Sequence, residues 1–201
     1  MKNYICVNNQ KIELTQEQVD MIIAAQRQNI KLASVAVGDT VKIGSHEMVV
    51  IEQFGDTTAL IRKELLPDRQ FGANNNYDGS YVDDACNEFA KEISSAVGED
   101  NLVMHVVDLT ADDGLKDYGQ VQRAASLLTA DQYRRYVEVL DEHKPGAWWW
   151  LSTAYSTVRH ENDLWVKCVS PSGRIFNDYY NNYDYGVRPF CILKSNIFVS
   201  K

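Results

Sequence analysis

The side chains here that could do covalent or metal chemistry are chiefly four histidines and four cysteines, and their spacing limits what they can do. His46, His105, His143 and His160 show neither HExxH nor HxxxH spacing, which would set two imidazoles on one helix face around a metal. Each is expected to be exposed or held by structural hydrogen bonds. Cys6, Cys86, Cys168 and Cys191 lie far apart and form no CxxC pair, which argues against a zinc site or a disulfide framework. Cys168 in LWVKCV and Cys191 in PFCIL sit in apolar runs, where a thiol acts as a small buried hydrophobe. GxxxxGK[ST], GxGxxG after a strand and GxSxG are all absent, so neither a phosphate cradle nor a nucleophile elbow is supported. A scattered Ser-His-Asp triad leaves no spacing to read. No catalytic residue, metal or cofactor is expected.

Charge is concentrated. The chain carries 28 acidic and 20 basic residues, a net charge of −8. Residues 99–117 hold six carboxylates against Lys116 alone, five of those eight charges. Asp108, Asp112, Asp113 and Asp117 form its centre. Read as a calcium loop starting at Asp108, position 6 is Asp113 instead of Gly and position 12 is Gly119 instead of Glu, so the EF-hand pattern fails. A calcium site of another kind on Asp108, Asp112 and Asp113, or at Glu161-Asn162-Asp163, is the weaker reading beside a solvated acidic loop. The acidic balance disfavours direct binding to nucleic acid or an anionic membrane, which requires clustered Lys and Arg.

The most unusual segment is NDYYNNYDY, residues 177–185, built only of Asn, Asp and Tyr. It holds four of the eleven tyrosines. Tyrosine offers large amphipathic area with few rotors, and Asn or Asp offers adaptable hydrogen bonds, the composition of recognition loops. The expected binding surface is Tyr155, Arg159, Asn177, Tyr179, Tyr180, Asn181, Asn182, Tyr183 and Asp184; the alternative is a loop whose tyrosines pack on their own domain. Trp148-Trp149-Trp150 read at period two puts the outer pair on one face and Trp149 on the other. Core packing is expected for at least one, and an aromatic patch for a sugar or partner is the alternative.

The elements that must position these residues are short. Tyr4–Val7 and Lys11–Leu14 around Asn8-Asn9 read as a hairpin. Thr15 to Gln18 then matches a capping box, opening a short helix with Val19, Ile22, Ile23 and Gln26 on one stripe. Residues 1–30 thus form an arm too small to be stable alone, which docks on the body or on a partner chain and admits a homo-oligomer. The body is expected over 36–201. Val41 to Ile61 supplies three meander strands, VDDACNEFAKEISSAV (82–97) a helix, Leu102–Val107 a strand, and a second helix starts near Thr129. Several short strands follow from Trp148 to Lys201. Strands, two helices and strands again make the class α+β. No apolar run of signal-peptide length follows Lys2, and none approaches the ~20 residues that span a bilayer, so synthesis in a cytoplasm and a soluble product are expected.

The blocks WWLST (149–153), the Ser172-Gly173 turn and GVRPFCIL (186–193) resemble a bacterial and phage family of uncharacterised function with a WWLxxP…G…GVRPxxxL signature. VGDTVKIGSHEMVVIE, the helix at Asn87-Glu88-Phe89 and SLLTADQYRRY are similar to its earlier blocks, over about residues 36–195. The resemblance implies a C-type-lectin-like domain, the fold shared with formylglycine-generating enzymes. It makes Trp149, Trp150, Gly186, Arg188 and Pro189 structural signature residues. In the related variable proteins of diversity-generating retroelements, the stretch between the Trp motif and the end is the diversified ligand-binding surface. The Asn, Asp and Tyr of 177–185 are interchanged by single changes at the first base of one codon set. No EPN or QPD calcium triplet is present, so calcium-dependent sugar binding is not implied.

Two functions follow as expectations. The first is a non-enzymatic, phage- or prophage-encoded protein, made in the host cytoplasm, whose loop surface binds a host protein or surface ligand. The second is an intracellular phage accessory protein that inhibits a host defence nuclease, of CRISPR type or other, through its acidic surface. An enzyme is a distant third.

Overall fold

The computed structural model describes residues 3–7, 10–21 and 29–201. β1 (Asn3–Val7) and β2 (Gln10–Leu14) form a separate two-stranded sheet, and α1 follows, helical over 16–21. Its capping box is made: Gln18 N–H donates to Thr15 Oγ1 at 3.2 Å, and Thr15 N–H donates to Gln18 Oε1 at 2.9 Å. Ile22, Ile23 and Gln26 of the expected stripe lie outside the described residues.

The body is an eight-stranded antiparallel sheet clasped by two helices. Its strands are β3 (Asn29–Lys31), β4 (Thr40–Ile43), β5 (His46–Phe54), β6 (Thr57–Arg62), β7 (Leu102–Val103), β10 (Ala125–Ser126), β14 (Phe190–Lys194) and β15 (Phe198–Ser200). They run in the order β10-β14-β6-β5-β4-β15-β3, with β7 also on β14. The body reaches back beyond residue 36: β3 pairs with β15, and Leu32 is fully buried in the core.

The runs MVVI, ALI and FCIL are continuously apolar because both faces of this sheet are covered. Met48, Val50, Leu60, Cys191 and Leu193 pack with Phe89 and Ile93 of α2 (Tyr81–Val97). Their neighbours Val49, Ile51, Ala59, Ile61 and Phe190 pack with Tyr133, Tyr136 and Leu140 of α3 (Ala130–Glu142). Ser80 caps α2, and Thr129 caps α3 in a full capping box with Gln132. The expected strand over Leu102–Val107 breaks in two: β7 joins the main sheet, whereas β8 (His105–Asp108) forms a ribbon with β9 (Gln120–Arg123). A third sheet contains β11 (Trp149–Ala154), β12 (Trp165–Val169) and β13 (Ile175–Tyr179).

Residues 186–189 lace these parts together. Trp150 N–H donates to Gly186 O at 3.1 Å, Gly186 N–H to Trp148 O at 2.9 Å, and Arg62 N–H to Pro189 O at 2.8 Å. A Cβ on Gly186 would lie 2.5 Å from Leu65 Cδ1, so only glycine fits. Arg188 is 1% exposed. Its Nε donates to Arg62 O at 2.9 Å, its Nη2 to His143 O at 2.7 Å, and its guanidinium lies 5.3 Å over the Trp149 ring. Burial pushes its pKa down to about 10, which leaves it charged at neutral pH.

His105 sits against Phe190, rings 5.0 Å apart, with Nε2 at 2.8 Å from Ser126 Oγ. Burial pushes its pKa down to about 4, so the folded protein holds it neutral. The unfolded chain takes up that proton first, near pH 6.5. Stability is therefore full above that pH and declines as pH falls towards 4, by about 3 kcal/mol from this group. Urea unfolding of wild type and His105→Gln across pH 4–7 should show the wild-type slope flattened in the variant; equal slopes would refute it. Arg188→Met leaves two carbonyls without their donor and should cost about 3 kcal/mol in the same measurement.

Candidate functional site

The three-stranded sheet carries the expected surface, and strand alternation sorts its residues. Trp149 joins the cluster under α3, whereas Trp148 and Trp150 pack in the opposite cluster against Tyr185, at 5.5 and 4.3 Å between ring centroids. Trp150 Nε1 donates to Arg69 O at 2.9 Å. Trp149 and Trp150 are thus buried in the core, whereas Trp148 is half-buried, its ring 5.4 Å from that of the exposed Phe176.

On the face that Trp149 shares with Val169 and Ile175, the next pairs outward are Lys167 with Asn177 and Trp165 with Tyr179. Trp165 and Tyr179 pack ring on ring, tilted by 33°, with centroids 3.9 Å apart. Tyr155 N–H donates to Trp165 O at 2.9 Å, and the Tyr155 ring lies 5.4 Å from Lys167 Nζ. This face leaves the core at Val169 and ends in solvent as Tyr155, Trp165, Asn177 and Tyr179. Trp165 and Lys167 were not among the residues expected from sequence. The only sequence signal for them is the alternation in LWVKCV, which does not say which face is open.

The segment 177–185 is not one loop. Asn177 to Tyr179 belong to β13. Tyr180 is half-buried against the third cluster, and its carbonyl accepts from Phe71 N–H at 2.7 Å. Tyr185 is 5% exposed and donates to Asp178 Oδ2 at 2.5 Å; Asn182 Nδ2 donates to the same oxygen at 3.2 Å. Asn182 Oδ1 in turn accepts from Asp184 N–H at 3.0 Å. The residues it offers to solvent are Asn177, Tyr179 (44% exposed), Asn181, Tyr183 (66% exposed) and Asp184. Val158 and Leu164, next to this sheet in sequence, and Phe176 within β13 are also exposed and apolar.

The acidic run proves to be a brace for the same surface. Asp112 N–H donates to Ala154 O at 2.9 Å, and its carboxylate pairs with Lys167 at 2.6 Å and Arg134 at 3.3 Å. Asp113 accepts from Ser156 Oγ at 2.6 Å, which holds its carboxyl below the usual range, and lies 3.0 Å from His160 Nδ1. Asp117 accepts from Thr157 Oγ1 at 2.6 Å and pairs with Arg159. Asp108 stays apart, accepting from its neighbour Thr110 at 2.5 Å and from Gln120 at 3.3 Å. Asn75, fully buried, completes the brace: its Nδ2 donates to Ser156 O and Trp165 O, and its Oδ1 accepts from Tyr118.

Among the described residues no group of three or more His, Cys, Asp or Glu side chains is placed to hold a metal ion, and no helix is long and apolar enough to cross a membrane. Burial pushes the Cys86, Cys168 and Cys191 thiols up to about 12, so all three stay protonated and weakly nucleophilic at neutral pH.

Lys167 is 8% exposed, so its ammonium depends on Asp112. Asp112→Ala should cost about 3 kcal/mol by leaving that charge without its partner. Lys167→Met combined with Asp112→Leu should cost less than Asp112→Ala alone in urea unfolding; a larger loss in the double variant would show that the pair is not coupled in this way. Comparisons of the chain with protein-family models, with curated proteins and with solved structures gave no match.

Proposed function

We propose that this chain is a non-enzymatic binding protein, encoded by a phage or prophage, with a C-type-lectin-like body. It presents the outer end of the β11–β12–β13 sheet to a host protein or surface ligand. The observation that carries this reading is the exposed aromatic end of a sheet whose β11 strand is wholly buried and whose β12 strand is mostly so. Tyr179 packs at a tilt on Trp165 with Tyr155 beside it, and Tyr183, Asn177, Asn181 and Asp184 are exposed nearby in the chain. Aromatic anchors held by a rigid frame and flanked by small polar groups are the anatomy of a binding hot spot. The lectin-like assignment is supported by the short antiparallel strands, the two body helices, and the position of 155–185 between the WWL and GVRP blocks.

The alternative, inhibition of a host nuclease through the acidic run, draws less support. The carboxylates of Asp112, Asp113 and Asp117 already have Lys, Arg, His, Ser or Thr partners within the protein, and charge so matched offers a weak field to a basic partner.

Tyr179→Ala with Tyr183→Ala tests the proposal. Unfolding free energy should fall by about 1–2 kcal/mol, since Tyr183 is largely solvated and Tyr179 loses chiefly its contact with Trp165. Capture of a partner from host lysate by the immobilised protein should be lost. Retained capture, or a collapse of stability, would sink the reading.

A further inference from the structure

The chain around the exposed aromatic end carries charge of one sign. Tyr180 N–H donates to Leu164 O at 2.9 Å, one step beyond the Trp165–Tyr179 pair, and Asn182 N–H donates to Tyr179 O at 3.0 Å. These bonds set residues 161–165 beside residues 179–184. Between them the two segments carry Glu161 and Asp184, both exposed, and Asp163, half-buried. Among the described residues none of the three has a cation within salt-bridge distance. Asp178 differs, since its carboxylate is bonded to Tyr185, Asn182 and the Tyr179 N–H.

The cations of the neighbouring chain are committed elsewhere. Arg159 pairs with Asp117, His160 lies 3.0 Å from Asp113, and Lys167 pairs with Asp112. Arg174, just before the far end of β13, sits over the Phe176 ring. The rings beside the unmatched carboxylates are Tyr179 and Tyr183, the second of them two-thirds exposed. A tyrosine face is electron-rich and attracts a cation within about 6 Å. A guanidinium suits this setting better than an ammonium, because it lies flat on a ring while its fork of N–H donors reaches a carboxylate. An acidic partner would meet like charge here. A neutral one would cover the carboxylates without pairing them, at a cost in desolvation.

We propose that the partner of this surface is a protein presenting an arginine-bearing loop or strand. Its guanidinium groups lie on the Tyr179 and Tyr183 rings and pair with Glu161, Asp163 and Asp184. The proposal rests on the reading of the β11–β13 surface given above and names the chemistry of what that surface binds. Asp112, Asp113 and Asp117, already paired, hold the frame and take no part in the contact.

An amide NMR titration of the full chain with acetyl-Arg-Gly-Arg-Gly-Arg-amide, at roughly 20 mM salt, tests it. The peptide should bind with a Kd of roughly 1 mM or tighter and shift the signals of 161–165 and 179–184 first. Glu161→Gln with Asp163→Asn and Asp184→Asn should weaken binding about tenfold, the combined effect of three exposed charge pairs. Asp56→Asn with Glu99→Gln and Asp100→Asn removes the same charge from exposed sites elsewhere and should weaken it less than about twofold. Tyr179→Ala with Tyr183→Ala should weaken it about threefold or more, and the lysine version of the peptide should bind wild type more weakly than the arginine version. No binding, shifts centred elsewhere, or equal losses in the two charge variants would overturn the proposal. If partner capture is lost on removing the two tyrosines yet persists in the Glu161, Asp163 and Asp184 variant, the surface reading stands and the arginine assignment falls.

Discussion

The guanidinium of Arg188 lies where three stretches of chain distant in sequence, around residue 62, over 143–149 and its own 186–189, converge. It ties the carbonyl at the end of β6 to the carbonyl at the end of α3 and covers the Trp149 ring of β11. No aliphatic side chain could satisfy two buried carbonyls at once, and a lysine lacks the planar fork that reaches both. On one side, Gly186 lets the chain pass Leu65 and join Trp148 and Trp150; on the other, Pro189 accepts from Arg62 and leads into β14. The small sheet therefore has a fixed position relative to the large one.

That fixed position gives the exposed aromatic end its rigidity. β11 is buried along its whole length, and β12 inherits order from it through paired strands. The connection after β11 has little apolar burial of its own. Asn75, Asp112, Asp113 and Asp117 supply polar restraint there. The concentration of negative charge in 99–117 thus serves in large part to hold the 154–160 segment. Tyr155, Trp165 and Tyr179 can stay partly solvated without disorder because the strands beneath them are pinned elsewhere.

Legibility from the sequence followed the range of the interactions. The capping box at Thr15, the first hairpin, the β4–β5–β6 meander and the two body helices depend on residues a few positions apart, and they stand within a few residues of where pattern and propensity place them. The alternation of Trp148, Trp149 and Trp150 was also readable, because a strand imposes it locally. The β8–β9 ribbon was not: Gln120–Arg123 has little apolar signal, and its order comes from pairing with His105–Asp108 and from Arg123 binding Asp83 and Asp78. Within 177–185, composition identified an unusual segment but could not separate Tyr179 and Tyr183 from Tyr185, since that division depends on which side of β13 meets Trp150.

By itself, the sequence determined the α+β class, the helix starts, the arm and the concentration of Tyr, Asn, Asp and acidic residues in two short segments. These follow from periodicity, capping and composition, whose physics is local. Only the tertiary structure decided that the acidic run braces a neighbouring loop, that Trp165 and Lys167 belong with Tyr155 and Tyr179, and that Arg188 locks two sheets and a helix together. Each of those depends on which distant partner a charge or ring meets once the chain is packed, and burial, not sequence spacing, sets that choice.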